Sequence, residues 1–398
     1  MHRTLPWSLL VAALSLHLIF GALAGVIVPG LVAQADEDAK ETNLALIMAA
    51  SSLATMLVYP AIGAWSDRTR TRWGQRTPWI VVGALASGLA VAALGRAETV
   101  LAVGLGWLLV QPLLHLVQAP LEAVLADRVS PSLRSRVSSS YTFGAVLGLA
   151  VGAASAGLLL DRPALLTAGL AIVLVVTMLG FVLVEPERSE VPGPRTTQAW
   201  SRAWAIRDFR LVFLSRALFT LGSQFVAGYL LYIVMDFSNT DEVTAGPIVG
   251  ILSATYVGCL AVGTLLAARI GQRDRVRTVM ISTGVYAAAL VIPLATPSVG
   301  GLVAFVLVAG MARGAFLSTG LALMIDVLPS GTNHARDLSV LGLATLLPLT
   351  VAPLMAGSLL AASGNRYSVL FIAALITSVG SIPVIGRISR PHPSAPGG

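Results

Sequence analysis

The amino-acid sequence predicts an all-α membrane protein, with twelve transmembrane helices arranged as two pseudo-symmetric six-helix halves. Three observations carry that prediction: a scarcity of charge, a series of long apolar runs, and a repeat of about 200 residues. Of 398 residues, 56% are hydrophobic and 11% are charged, and the mean hydropathy is +0.83. A soluble chain is roughly one-quarter charged, so this one lacks the polar residues to coat a surface. A soluble enzyme, a nucleic-acid-binding domain and a disordered scaffold are excluded together. The basic residues sit in short clusters between apolar runs, which is a topology signal and not a stripe that tracks a phosphate backbone. Cys259 is the single cysteine, which excludes an intrachain disulfide and a cysteine-based metal site.

A membrane helix needs about 20 predominantly apolar residues. Breaking the chain at charges and turn residues gives six runs in the first half: 6–29, 42–65, 78–95, 99–126, 138–160 and 164–184. The second half gives 209–235, 247–268, 277–294, 300–325, 338–361 and 367–386. Pro6, Pro29, Pro78, Pro163 and Pro247 mark ends, where proline is tolerated. Arg96–Glu98 and Asp161–Pro163 are connections short enough to make antiparallel hairpins of the helices they join. Arg3, the first run and Ala33-Gln34-Ala35 mimic a secretory signal with its cleavage site. The run exceeds the roughly 7–15 residues of a signal core, so it is expected to stay as the first span.

Arginine counting sets the orientation. With the N-terminus inside, twenty basic residues fall in cytoplasmic segments and four outside, which predicts a multi-pass plasma-membrane protein with both termini cytoplasmic. The remaining two, Arg216 and Arg313, fall within proposed helices. The longest hydrophilic stretch, 185–207, contains Pro186, Pro192, Gly193 and Pro194 and reads as a linker between halves 1–184 and 208–398. Span four ends at Asp127 and its loop carries Arg136; span ten ends at Asp326 and its loop carries Arg336. The two aspartates are 199 residues apart and the two arginines 200.

Two parallel six-helix repeats are one known scheme for secondary transporters, and this layout resembles the major facilitator superfamily. The loop after span two, Gly63-Ala-Trp-Ser-Asp67-Arg68-Thr-Arg70-Thr-Arg72-Trp-Gly74-Gln-Arg76-Thr-Pro78-Trp79, is similar to that superfamily's signature loop. Its form is that of the sucrose–proton symporters and the related glycoside–pentoside–hexuronide carriers. Val117-Gln118-Ala119-Pro120 followed by Leu125-Ala126-Asp127 adds to the likeness. The resemblance implies a secondary active transporter working by alternating access, monomeric, with no cofactor and no enzymatic activity. Its partners would be a small polar solute (a sugar or glycoside is favoured), a coupling proton and the lipid bilayer, with no nucleic acid. The direction expected is proton-coupled uptake. The alternative is export of a drug or secondary metabolite, although the Gly-Pro motif of span five and the span-four arginine usual in drug–proton antiporters are absent. One departure from the sucrose carriers is Glu122, which stands where they tend to place a basic residue.

A cytoplasmic gate is expected from Asp67 with Arg68 and Arg76, and from Asp127, Arg136, Asp326 and Arg336, as carboxylate–guanidinium contacts that form in one state and break in the other. Ionisable residues at membrane depth are functional candidates by default. His17 and Arg216 are 199 residues apart, and His115 and Arg313 are 198 apart, so the histidines of one half answer the arginines of the other. In the carriers this chain resembles, helices one, four, seven and ten line the central cavity, and these four residues lie on those helices. Gln111, His115, Gln118 and Glu122 step by four, three and four along span four, a polar stripe on an apolar helix. The expected substrate contacts are Arg313, His115, His17, Arg216, Gln118 and Gln111. Arg313 would hold an anionic or polyhydroxy solute or pair with Glu122. Glu122 or His115 would carry the proton, because a carboxylate or imidazole changes charge and an arginine does not.

Overall fold

The computed structural model describes residues 4–69, 71–129, 131–187, 206–270, 274–326 and 334–388. The described chain is helical throughout, apart from short connections and one isolated antiparallel bridge between Thr71 and Gly74. The helices of the first half are α1 (Leu5–Ala22), α2 (Val28–Ala35), α3 (Lys40–Arg68), α4 (Thr77–Leu94), α5 (Val100–Arg128), α6 (Pro131–Leu158) and α7 (Pro163–Val184). The second half has α8 (Arg207–Ala227), α9 (Leu230–Ser238), α10 (Glu242–Ile270), α11 (Arg275–Ala295), α12 (Val299–Asp326), α13 (His334–Ser363) and α14 (Ser368–Gly386).

Among the described residues, ten helices are long and apolar enough to cross a bilayer, and α8 with α9, bent by 46° at their join, make an eleventh. The first span runs without a gap from α1 into α2 through a π-helical turn, Leu23–Ile27. That wide turn sits where Pro29 cannot donate to the carbonyl four residues before it. The twelfth expected span, 338–361, falls in α13, and the side chains of much of its N-terminal part lie outside the described residues.

By backbone contacts the chain divides into two compact units, Met1–Gly193 with Gly228–Val257, and Pro194–Ala227 with Gly258–Gly398. In the first unit α1 packs along α6, α3 and α4 pack on α5, and α4 and α1 pack on α7. The α1–α6 contact is close because Gly144, Gly148 and Gly152 of α6 face the backbone oxygens of Leu10, Leu14 and Leu18. Gly21 of α1 likewise abuts Leu149. Glycines four apart let two backbones touch where the lipid offers no hydrophobic drive for association. Segment 228–257 belongs to the same unit: the Tyr232 hydroxyl donates to the Pro29 carbonyl at 2.9 Å, Lys40 lies 5.6 Å from the Tyr232 ring centre, and Gly157 meets Gly246 backbone to backbone.

In the second unit α11 packs on α12 and α14, and α8 packs on α13 and α14. The approximately 200-residue repeat is visible in the polar contacts. Thr177 of α7 donates to Ser15 of α1 at 2.7 Å, and Ser215 of α8 hydrogen-bonds Ser381 of α14 at 2.8 Å. Ser15 and Ser215 are 200 residues apart, so each sequence half joins its first and last helix through paired hydroxyls.

Glu185–Glu187, the first residues of the stretch assigned to the linker, are bound to the N-terminal unit. The buried Glu185 carboxylate accepts from Thr4 at 2.6 Å and Ser8 at 3.2 Å, and its carbonyl accepts from Arg128 Nη1 at 2.8 Å. Glu187 Oε2 accepts from the backbone N–H of Arg76 at 2.7 Å and of Thr77 at 3.1 Å, and so caps α4 from 110 residues away. The first turn of α4 has no local side-chain cap, and the helix's free N–H groups need one. Gly74, with φ +95, makes the turn beneath it, and any side chain there would strike Glu187. Glu187→Ala is expected to destabilise the N-terminal unit by about 1 kcal/mol, read as a lower thermal midpoint of the detergent-solubilised protein.

Candidate functional site

The polar stripe of α5 is met by aromatic residues that the stripe does not announce. Gln118 Nε2 donates to Glu122 at 2.7 Å within the helix. Tyr59 of α3 donates to the other oxygen of Glu122 at 3.2 Å, and Tyr141 of α6 donates to the first at 3.4 Å. Among the described residues the carboxylate is therefore held by three neutral donors, and no ion pair is among those contacts. Phenol hydroxyls both donate and accept, so each tyrosine can turn to accept from a protonated Glu122. The arrangement accommodates either protonation state without a charged partner being torn away.

The two histidines complete the cluster. His17 Nδ1 lies 2.8 Å from the Ala13 carbonyl. A carbonyl only accepts, so Nδ1 carries the hydrogen and, in the neutral ring, Nε2 is left as the acceptor. The His17 ring meets Tyr141 edge-on at 6.1 Å, and His115 meets Tyr59 edge-on at 5.2 Å. Phe20 bridges the histidines, 5.8 Å from His17 and 5.4 Å from His115. The ring nitrogen Nδ1 of His115 and Oε1 of Gln111 are buried without a hydrogen-bond partner. Buried polar atoms are ordinarily satisfied, so these are places for a water or a solute hydroxyl. His17, His115, Gln118 and Glu122 thus come together, and Gln111 sits one turn along α5 with no bond to the rest.

In the second unit Arg216 donates from Nε to Thr345 Oγ1 of α13 at 3.0 Å. Arg313 lies on α12 of the same unit. Phe219 stacks on Phe316 at 3.7 Å, one turn beyond each arginine, and Tyr286 closes on Phe219 at 5.0 Å.

At the α3–α4 connection Arg76 is buried and donates from Nη1 to Ser66 at 2.9 Å, while Arg68 is exposed. The expected gate side chains of Asp67, Asp127, Arg136, Asp326 and Arg336 lie outside the described residues. Sequence reasoning missed Tyr59, Tyr141 and Phe20. The available signal was Tyr59, a phenol inside the run 42–65 and away from its ends, where it needs a partner; Tyr141, near the start of its run, and Phe20 carried no such signal. It also missed Glu185 and Glu187, whose mixed-charge surroundings look like solvated linker.

A family model described as MFS/sugar transport protein matches residues 39–336. The chain belongs to this family. Among curated relatives of this carrier, the sucrose transport protein SUC4 of Arabidopsis thaliana is 30% identical over a match covering 25% of this chain and 24% of that protein. The sucrose transport protein SUC3 of the same plant is 29% identical, covering 25% and 21%. The matches span about a quarter of those relatives' length or less. Solved structures share the fold. The nucleoside transporter NupG aligns with a TM-score of 0.71 at 13% identity, covering 98% of each chain. A bacterial homologue of the human lysosomal transporter Spinster aligns with a TM-score of 0.72 at 15% identity, covering 97% of this chain and 95% of that one. The chain is a multi-pass membrane protein with the major facilitator fold.

Proposed function

We propose that this carrier takes up a sugar or glycoside across the plasma membrane, driven by the proton gradient, with both termini cytoplasmic. The halves 1–184 and 208–398 alternate access to a site near mid-membrane, and Glu122 carries the coupling proton. The observation that supports this reading is the carboxylate at membrane depth held, among the described residues, by Gln118, Tyr59 and Tyr141. An acid kept in an ion pair would have to break that pair at each protonation, whereas this one changes charge within a network of reversible hydroxyls. Polar groups and aromatic faces beside it suit a polyhydroxylated ring. The sucrose-transporter likeness of a quarter of the chain points the same way.

In the cycle, an outside proton neutralises Glu122, and the tyrosine facing the protonated oxygen turns to accept while the other still donates. The solute then takes up the free acceptor and donor sites of Gln111 and His115, and Arg313 is a further proposed substrate contact. Release of the proton inside restores the carboxylate. Arg313→Ala is expected to abolish substrate binding, measured by ligand-induced thermal stabilisation, and retention of normal affinity removes Arg313 from the site. The reading as a whole is tested in proteoliposomes with an imposed pH gradient. Accumulation of a labelled neutral glycoside when the outside is acidic supports it, and movement of aromatic cations in the opposite sense would make the protein an exporter.

A further inference from the structure

A proton arriving at a carboxylate rearranges the hydrogen bonds that held the charge, and the two oxygens of Glu122 are held differently. Oε1 accepts from Gln118 at 2.7 Å and from Tyr141 at 3.4 Å, whereas Oε2 accepts from Tyr59 at 3.2 Å. The Gln118 amide nitrogen only donates, so a proton on Oε1 would weaken that short bond. The proton therefore settles on Oε2, and the new O–H donates to the Tyr59 oxygen. A phenol has one hydrogen. It points at Glu122 while the acid is charged and is released when the acid is protonated.

The contacts around the carboxylate close on themselves, running from Glu122 to Tyr59, His115, Phe20, His17, Tyr141 and back to Glu122. The rings pin one another, and the motion left to each tyrosine is rotation of its hydroxyl hydrogen. Tyr141 is buried. Tyr59 is half-buried, as is His115, against which it stands edge-on at 5.2 Å. His115 and Gln111, which the proposed cycle gives to the solute, are four residues apart and so share one face of α5. Of the two phenols, Tyr59 is thus the one that borders the solute's place.

We propose that Tyr59 is the coupling residue: its one hydroxyl hydrogen is committed to Glu122 while the acid is charged, and passes to the solute once the acid is protonated. The solute then gains a donor only in the proton-loaded carrier, and by reciprocity a bound solute holds the proton on Glu122. One proton is added to Oε2, one hydrogen bond changes acceptor, and no other bond is made or broken. The affinity for solute therefore rises as the pH falls through the titration of Glu122. The other titratable groups of the circuit are His17, His115 and Tyr141. The helices α2 and α4, also packed on α5, carry no ionisable residue, and the remaining charged residues of α3, α5 and α6 stand near the helix ends. This inference rests on the reading that Glu122 carries the proton and that a sugar or glycoside binds beside it.

The test uses the full chain in lipid nanodiscs and measures binding of sucrose and of methyl β-glucoside in acidic and in alkaline buffer. The wild-type protein is expected to bind one of them about fivefold tighter in acid, the worth of one neutral hydrogen bond. In Tyr59→Phe, which keeps the ring and its contact with His115, the affinity is expected to stay at the wild-type alkaline value in both buffers. Tyr141→Phe, at the other oxygen, keeps the acid preference whatever it does to the affinity itself. Glu122→Gln, whose amide holds Tyr59 in the accepting position, binds at the wild-type acid value throughout. A second measurement needs no solute: the change in the tyrosine C–O stretch between acid and alkaline infrared spectra is expected to vanish in Tyr59→Phe and to survive in Tyr141→Phe. Equal wild-type affinity in the two buffers overturns the inference. An acid preference that survives Tyr59→Phe but not Glu122→Gln overturns the role of Tyr59 and leaves the Glu122 reading in place. One that survives both variants belongs to a histidine, and both fall. If neither sugar binds and the infrared change follows Tyr59, the switch stands and the sugar reading falls; with no such change, both fall.

Discussion

Glu122→Gln is expected to reduce proton-driven accumulation to the rate of leak while leaving exchange of solute across the membrane in place. Glutamine has the shape of a protonated carboxylic acid. With its carbonyl at the Oε1 position it still accepts from Gln118 and Tyr141, and its amide donates to the Tyr59 hydroxyl turned to accept. The packing of α3, α5 and α6 around the side chain therefore survives, and the proton cycle does not. Wild-type uptake should rise as the outside pH is lowered, because the loaded form must bind a proton before it turns inward. The variant's uptake should be flat with pH. Two assays on the same liposomes decide the matter, one with a pH gradient and no internal solute, the other with internal solute and no gradient. If the variant still accumulates solute against its gradient, the coupling proton resides elsewhere, and His115 or His17 is the next candidate.

Gly148→Leu is expected to remove the folded protein altogether. The Cα of Gly148 faces the Leu14 carbonyl and the Leu18 amide of α1, with no room for a first side-chain carbon. An added Cβ would have to push the backbones of α1 and α6 apart, and Gly144 and Gly152 on the same face hold them at contact distance. Overpacking a soluble core costs about 1–3 kcal/mol when side chains can shift. Here the obstacle is backbone, and the close approach is itself the source of the helix–helix attraction in lipid. Loss of the monodisperse peak on size exclusion is the readout. Gly180→Leu is the control: it also lies within a helix, and a Cβ added there meets nothing within 4 Å. A folded Gly148→Leu variant would show that α1 and α6 separate freely, and would dissolve the account of why these glycines recur every four residues.

Much of this was legible in the sequence because the bilayer imposes one-dimensional rules. A span must be about 20 apolar residues long and satisfy its backbone internally, so runs such as 164–184 announce α7 to within a residue at each end. The stripe from Gln111 to Glu122 was readable from a period near 3.6. Its partners were not: Tyr59 is 63 residues from Glu122 in sequence and Tyr141 is 19 residues away. The linker reading of 185–207 shows the same limit. Prolines and mixed charge describe local chain preference, and say nothing of two carboxylates finding Thr4, Arg76 and Thr77 at helix ends far along the chain.

By itself, then, the sequence determined that this chain lives in a membrane, crosses it repeatedly, and repeats itself after about 200 residues with histidines answered by arginines. Those are consequences of composition and period, which every residue carries locally. The tertiary structure alone decided that Glu122 is held by two phenols and an amide, and that Arg216 donates to Thr345. Hydrogen bonds of that kind depend on which helix faces which, at ångström precision, and no pattern along one helix contains that information.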